Sequence, residues 1–212
     1  MTTVIVDYES GNLHSAQKAF ERMAQETGAG AVIVTSDPDV IRAATRIVLP
    51  GDGAFPACRR ALYDHRGVFE AIEEAVITHA RPFMGICIGM QMLATRGLEY
   101  EETAGFDWIR GTVEAIAPSD PALKVPHMGW NDLVIDNPHP IFDGISTGDH
   151  AYFVHSYQFR VEDAAHLLAH VDYAGAITAV VGRDTIVGTQ FHPEKSQQTG
   201  LRMIANFLRW KP

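Results

Sequence analysis

Pro82-Phe83-Met84-Gly85-Ile86-Cys87-Ile88-Gly89-Met90-Gln91 is an apolar run with a cysteine between two glycines. Phe83 to Ile86 has the length and composition of a buried strand, and a helix is expected to run on from Ile88. A strand that passes into a helix through one tight turn is the unit of a parallel α/β sheet. The segments before it repeat the pattern. Val4-Ile5-Val6 is a short strand, followed by a turn to Asn12 and a helix from Leu13 with Ala16, Ala19, Phe20 and Met23 on one face. Ala31 to Thr35 and Arg46 to Leu49 are further strands. Asp37-Pro38 opens a short helix between them, and helical patterns fill Ala54 to Ala80.

From about Gly111 the alternation stops. Gly111–Ile116, Lys124–Ile135, His150–Phe159, His166–Val171, Ala176–Gly182 and Thr185–Phe191 all have strand character, and short turns join most of them. A last helix carries Leu201, Ile204, Ala205 and Leu208 on one face. The expected fold is α/β, with a central, mostly parallel sheet flanked by helices and a mixed or antiparallel region in the C-terminal half. One domain is expected over residues 1–212. The chain has 26 acidic and 17 basic residues, a net charge of -9, which disfavours nucleic acid or an anionic membrane as partner. No apolar run approaches the roughly 20 residues of a membrane span. The two cysteines, Cys58 and Cys87, form no disulfide framework, and the N-terminus lacks a basic signal-peptide start, so the cytoplasm is the expected compartment.

Sites in open α/β sheets form at the carboxyl ends of strands. Three segments lie at such ends: Pro50-Gly51-Asp52-Gly53, Cys87, and Gly188-Thr189-Gln190-Phe191-His192-Pro193-Glu194. Gly85-Ile86-Cys87-Ile88-Gly89 has the form of a nucleophile elbow with Cys for Ser. By itself it is equally a buried core cysteine. His192 and Glu194 add a base and a carboxylate to orient it. A peptide N–H of Gly51, Asp52 or Gly53, together with that of Ile88, would make a two-donor oxyanion hole. Cys58 stands in no such context and is taken as structural. The other histidines show no metal-ligand spacing with His192, so no metal is expected.

Gly-x-Cys-x-Gly with Gln91 four residues after Cys87, followed by Phe-His-Pro-Glu, resembles the class I (triad) glutamine amidotransferases over essentially the whole chain. Within that family the segments Asp7 to Asn12, Pro126 to Asn131 and His192 to Ser196 are similar to those of the glutaminase subunits of imidazole glycerol phosphate synthase. The resemblance implies a flavodoxin-like fold, hydrolysis of glutamine by Cys87, His192 and Glu194, and no cofactor. It implies that Gln91, Glu99, His155, Ser156 and Tyr157 hold glutamine. It also implies a (β/α)8 cyclase subunit as heterodimer partner, faced by Asn12, Trp130, Tyr152 and Lys195. Another pathway's glutaminase, a free-standing γ-glutamyl hydrolase and a non-catalytic binding subunit are the competing readings. Two-fold alternation places Phe153, His155 and Tyr157 on one face of a strand. Asp52 stands where this family commonly has Val. Its carboxylate is expected to point outward, or to cap the helix beginning near Ala54, rather than to face a forming oxyanion.

Overall fold

A computed structural model describes residues 1–212. The first half runs β1 (Thr2–Val6), α1 (Leu13–Thr27), β2 (Ala31–Thr35), α2 (Pro38–Arg42), β3 (Arg46–Gly51), α3 (Phe55–Asp64), α4 (Val68–Glu73) and β4 (Phe83–Cys87). β1 lies between β2 and β3, and β3 beside β4, all parallel. Val4-Ile5-Val6 and Ile47-Val48-Leu49 are fully buried, because helices cover both faces of a parallel sheet. Asn12 Oδ1 accepts the Ser15 N–H at 3.2 Å and caps α1, and Gly28 ends that helix at a φ of 66°. The helical region after Ala54 breaks at residues 65–67 and ends in a π-turn, Glu74–Thr78.

The helix after the elbow departs from expectation. α5 is the single turn Ile88–Gln91. The next carbonyls are claimed from outside: Phe106, Trp108 and Asp107 N–H groups bond to the oxygens of Met92, Leu93 and Ala94 at 2.7, 3.0 and 3.0 Å. Those bonds end the helix and turn the chain into β5 (Arg96–Gly97) and β6 (Thr103–Ala104), two-residue strands with no visible sequence pattern.

β7 (Gly111–Ala115) follows, then β8 (His127–Asp132) and β9 (Val134–Ile135), into which the expected strand Lys124–Ile135 divides. The expected strand His150–Phe159 is likewise two, β10 (His150–His155) and β11 (Tyr157–Val161). They belong to different sheets: β10 pairs with β8, and β11 pairs with β7. The chain changes sheet at Ser156, so alternation does not carry through it, and Phe153, His155 and Tyr157 share no single face. β12 (Leu167–Asp172), β13 (Ala176–Arg183), β14 (Ile186–Thr189) and α6 (Gln197–Arg209) complete the chain.

The main sheet has eight strands in the order β2-β1-β3-β4-β14-β13-β12-β9. β14 joins β4 in parallel, and every pairing beyond β14 is antiparallel. One contiguous apolar cluster extends across both halves. α6 seats Phe207 edge-on against Phe20 of α1, with ring centroids 6.3 Å apart. No helix is long and apolar enough to cross a membrane.

Candidate active site

Cys87 has a φ of 55°, in the left-handed region that a side chain adopts only under constraint. The constraint is close packing of backbone around it. A Cβ on Gly89 would lie 1.9 Å from the Leu49 oxygen, and one on Gly85 would lie 2.4 Å from the Gly89 oxygen. Only glycines permit that approach, so β3 and β4 press the turn into an elbow with Cys87 at its tip.

β14 leads into the second half of the chemistry. His192 Nδ1 lies 2.9 Å from Glu194 Oε1, and both side chains are nearly inaccessible to solvent. Burial alone works against an imidazolium at His192. Hydrogen bonds to Cys87 and Glu194, with their charges, outweigh it and raise its pKa to about 10. Glu194 Oε2 has no partner. The loop is tied to the two-stranded sheet: His192 N–H donates to the Tyr152 oxygen at 3.2 Å, Tyr152 N–H to Ser196 Oγ at 2.9 Å, and Ser196 Oγ–H to the His192 oxygen at 2.7 Å.

A cavity of about 240 Å³ opens beside the elbow, lined among others by Cys87, Ile88, Gln91, Glu99, His155 and Tyr157. Asp52, Gly53 and Ser156 also border it, as do Pro126 and Val154, which sequence reasoning did not select. A shallower depression of about 560 Å³ around Pro138 to Gly144 contains no nucleophile. No group of His, Cys, Asp or Glu converges as metal ligands would.

The peptide oxygen of Tyr157 organises the cavity wall. It accepts from His155 Nδ1 at 2.9 Å and from Gln91 Nε2 at 3.2 Å. A carbonyl only accepts, which assigns the protons. His155 carries its proton on Nδ1, so its Nε2 accepts from His127 Nδ1–H at 2.9 Å. His127 Nε2 in turn accepts from Asn131 Nδ2–H at 3.2 Å. Burial holds both histidines neutral, with pKa values of about 4. Both ring nitrogens of His155 are thus occupied within the chain, which leaves its side chain no free polar atom for a ligand. Gln91 Oε1, by contrast, is buried without a partner.

Glu99 Oε2 accepts the Phe55 N–H at 2.7 Å and satisfies the first turn of α3. The capping expected of Asp52 is therefore absent: Ala54 is the cap residue and makes no side-chain bond. The Asp52 side chain is exposed at the rim of the cavity. Its backbone is engaged, with the N–H donating to Ser10 Oγ at 3.2 Å and the oxygen accepting from Ser10 Oγ–H at 2.9 Å and Cys58 Sγ–H at 3.3 Å. Burial raises the Cys58 pKa and keeps that thiol a donor. In this conformation the Asp52 N–H does not face the cavity.

Trp130 is 46% exposed and packs edge-on against Tyr152, with Met128, also exposed, on the same strand. Lys195 has no acidic partner in the chain. Asn12 is exposed, and its side chain already has work as the α1 cap. Gln190 was not selected from the sequence, although a glutamine inside a buried apolar segment is a signal. It is wholly buried, with Nε2 3.8 Å from Cys87 Sγ and Oε1 3.0 Å from Gln91 Nε2.

The family model of class-I glutamine amidotransferases matches residues 4–210. The imidazole glycerol phosphate synthase subunit HisH of Cereibacter sphaeroides is 72% identical, with both chains covered in full. That of Ruegeria pomeroyi is 66% identical, again over the full length of both. A solved glutamine amidotransferase superposes with a TM-score of 0.73 over 98% of this chain and 99% of that one; at 17% identity it speaks for the fold alone. An elbow cysteine beside a carboxylate-held histidine, on this sheet and with these relatives, has one lineage: the chain belongs to the class-I glutamine amidotransferases, in the branch of the HisH subunits.

Proposed function

We propose that this chain hydrolyses glutamine to glutamate and ammonia, with Cys87 as nucleophile, His192 as acid and base, and Glu194 as the group that orients His192. The observation that carries the reading is the His192 ring, held at 2.9 Å by Glu194 and near enough to Cys87 for the two neighbours together to raise its pKa. The raised His192 pKa keeps a proton on the imidazole while the sulfur attacks. The thiolate bonds to the side-chain carbonyl carbon of glutamine, and the carbonyl electrons move to oxygen. The Ile88 N–H, which has no partner within its one-turn helix, meets that oxyanion, with a loop donor from Gly51, Asp52 or Gly53. Collapse breaks the C–N bond, and His192 gives its proton to the departing ammonia. Water then attacks the thioester, His192 takes a proton from it, and glutamate leaves.

The cavity suits an amino acid. Its charged lining residues are Asp52 and Glu99, which favour the substrate ammonium, while Gln91 Oε1 is an acceptor without a donor. No cation borders it, so the substrate carboxylate is left to peptide N–H groups near Ser156 and Tyr157. In this reading His155 acts by shaping the wall and not by bonding glutamine.

The full-length relatives are named as subunits of imidazole glycerol phosphate synthase. We infer the same assembly here: ammonia passes to a (β/α)8 cyclase subunit that makes imidazole glycerol phosphate and an aminoimidazole carboxamide ribotide in histidine biosynthesis. This takes place in the cytoplasm and needs no cofactor. The exposed Trp130 and Tyr152 pair and the unpaired Lys195 supply an apolar anchor and a free charge for that partner. The engaged Asp52 N–H speaks for dependence on the partner over a free-standing hydrolase, since a donor held by Ser10 is withheld from the transition state. The test is glutamine turnover by the chain alone and with the cyclase subunit and its nucleotide ligand. Turnover that rises strongly on assembly is expected; full turnover by the isolated chain would favour the hydrolase.

A further inference from the structure

We propose that Gln190 is a further catalytic residue: its side-chain amide donates a hydrogen bond to the Cys87 sulfur and stabilises the thiolate. The inference rests on Cys87 being the nucleophile.

The orientation of the amide is fixed by its surroundings. Gln91 Nε2 must be a donor, because it lies 3.2 Å from the Tyr157 peptide oxygen. The Gln190 atom 3.0 Å from that nitrogen is then an acceptor, Oε1. The other end of the Gln190 amide is therefore Nε2, and it faces Cys87 Sγ at 3.8 Å. A reversed amide would set two N–H groups against each other and an oxygen against the sulfur. The chain of bonds from Tyr157 through Gln91 and Gln190 to Cys87 thus runs in one direction and ends on the reacting atom.

The position in the fold supports the role. Gln190 is the first residue past β14 and His192 follows two residues on, so the end of one strand brings both side chains to the surroundings of the Cys87 sulfur. The Gln190 backbone is anchored by its N–H to the Ala179 oxygen at 2.8 Å, so the side chain is delivered by the sheet and not by a mobile loop. A glutamine with no accessible surface, in a segment otherwise lined by Val187 and Phe191, needs a polar partner at both ends of its amide. A neutral thiol gains little from an N–H donor, whereas a thiolate gains a charge-assisted bond, so the contact favours the reactive form. The 3.8 Å separation belongs to the resting site; such bonds shorten as charge gathers on the acceptor.

The test uses the full chain assembled with the cyclase subunit. Gln190→Met removes both amide groups and keeps the shape, whereas Gln190→Glu keeps the acceptor for Gln91 and replaces the donor by a negative charge. Two readouts are taken: kcat and KM for glutamine, and the rate of iodoacetamide alkylation followed on the Cys87 peptide across pH. Gln190→Met is expected to lower kcat about tenfold with KM held within about threefold, the loss of one charge-assisted bond. Alkylation near neutrality should slow about as much and rejoin wild type in strongly alkaline solution, where any thiol is ionised. Gln190→Glu should be slower than Gln190→Met in both assays. Wild-type kcat and alkylation profile in folded Gln190→Met would overturn the proposal, and so would slowing by one factor at every pH, which signals lost packing alone. If Gln190→Met does not fold, Gln190→Glu decides on the same two readouts. Turnover surviving in Cys87→Ser would instead remove the nucleophile assignment, a separate outcome.

Discussion

The parallel part of the main sheet and the two small sheets beside it, one pairing β10 with β8 and one containing β11 and β7, hold the site by different means. β3 and β4 fix Cys87 through backbone against backbone: Gly89 is packed on the Leu49 carbonyl with no room for a methyl group. In the small sheets the wall is held by side chains, in the run from Asn131 and His127 of β8 through His155 of β10 to the Tyr157 oxygen of β11. Backbone contact of the first kind is all-or-none, because no rotamer relieves it. Hydrogen-bonded placement is graded, since one lost partner leaves the others in position. The atom that must be placed most closely, the nucleophile, is therefore set by main chain. The surfaces that recognise substrate and face a partner are set by side chains, which adjust.

Substitutions should follow that division. The largest effect is expected at the chemistry itself: Cys87→Ser should lower glutamine turnover by about a thousandfold or more, since an alcohol replaces a thiolate, and binding of the cyclase subunit should survive. Assays of purified enzyme with and without the partner check both. Gly89→Ala is next. It should cost about 3 kcal/mol or more of stability, read by denaturant unfolding, because its Cβ meets a carbonyl and not a movable side chain. A near-neutral result would show that the elbow is not held by close backbone packing.

His127→Leu probes the two-stranded sheet and should cost about 1–3 kcal/mol at neutral pH by leaving His155 Nε2 without a donor. The pH dependence gives a sharper reading. Burial lowers His127 to about 4 from 6.5. As pH falls below 6.5 the unfolded chain takes a proton that the folded chain refuses, so stability drops until about pH 4 and the loss is then complete. His127→Leu should remove its share, up to about 1.4 kcal/mol per pH unit over that window. An unchanged slope would mean that His127 is not held neutral by burial. Lys195→Ala should be mildest in the isolated chain, within about 0.5 kcal/mol of wild type, because the ammonium has no partner there. Its effect should emerge only on assembly, as weaker binding or ammonia lost to solvent. Unchanged assembly and coupling would make Lys195 an ordinary solvated charge.

The same division explains what the sequence could reveal. β1, β3 and β4 were legible because parallel strands buried on both faces appear as unbroken apolar runs, the edge strand β2 because its β-branched residues run together, and the elbow because glycines at fixed spacing mark close backbone approach. The cysteine, histidine and glutamate were visible as residue types at strand ends, and the cavity gathers most of the residues expected to line it. Past Gly111 the alternation of Phe153, His155 and Tyr157 suggested one strand where the chain in fact passes between two sheets at Ser156, a tertiary event with no local signature. The one-turn α5 failed for the same reason, since loop residues 106–108 capture the carbonyls that would have continued it. The capping role went to Glu99 and not Asp52 because the partner of Phe55 lies 44 residues away, beyond any local rule.

The most direct test of the account is covalent labelling of the assembled enzyme with a glutamine analogue that carries an electrophilic carbon in place of its amide, followed by peptide mass mapping. A single adduct on Cys87 is expected, prevented by excess glutamine and greatly slowed in His192→Ala. An adduct on Cys58, or labelling of Cys87 that ignores both glutamine and His192, would contradict the assignment of this cavity as the site of glutamine hydrolysis.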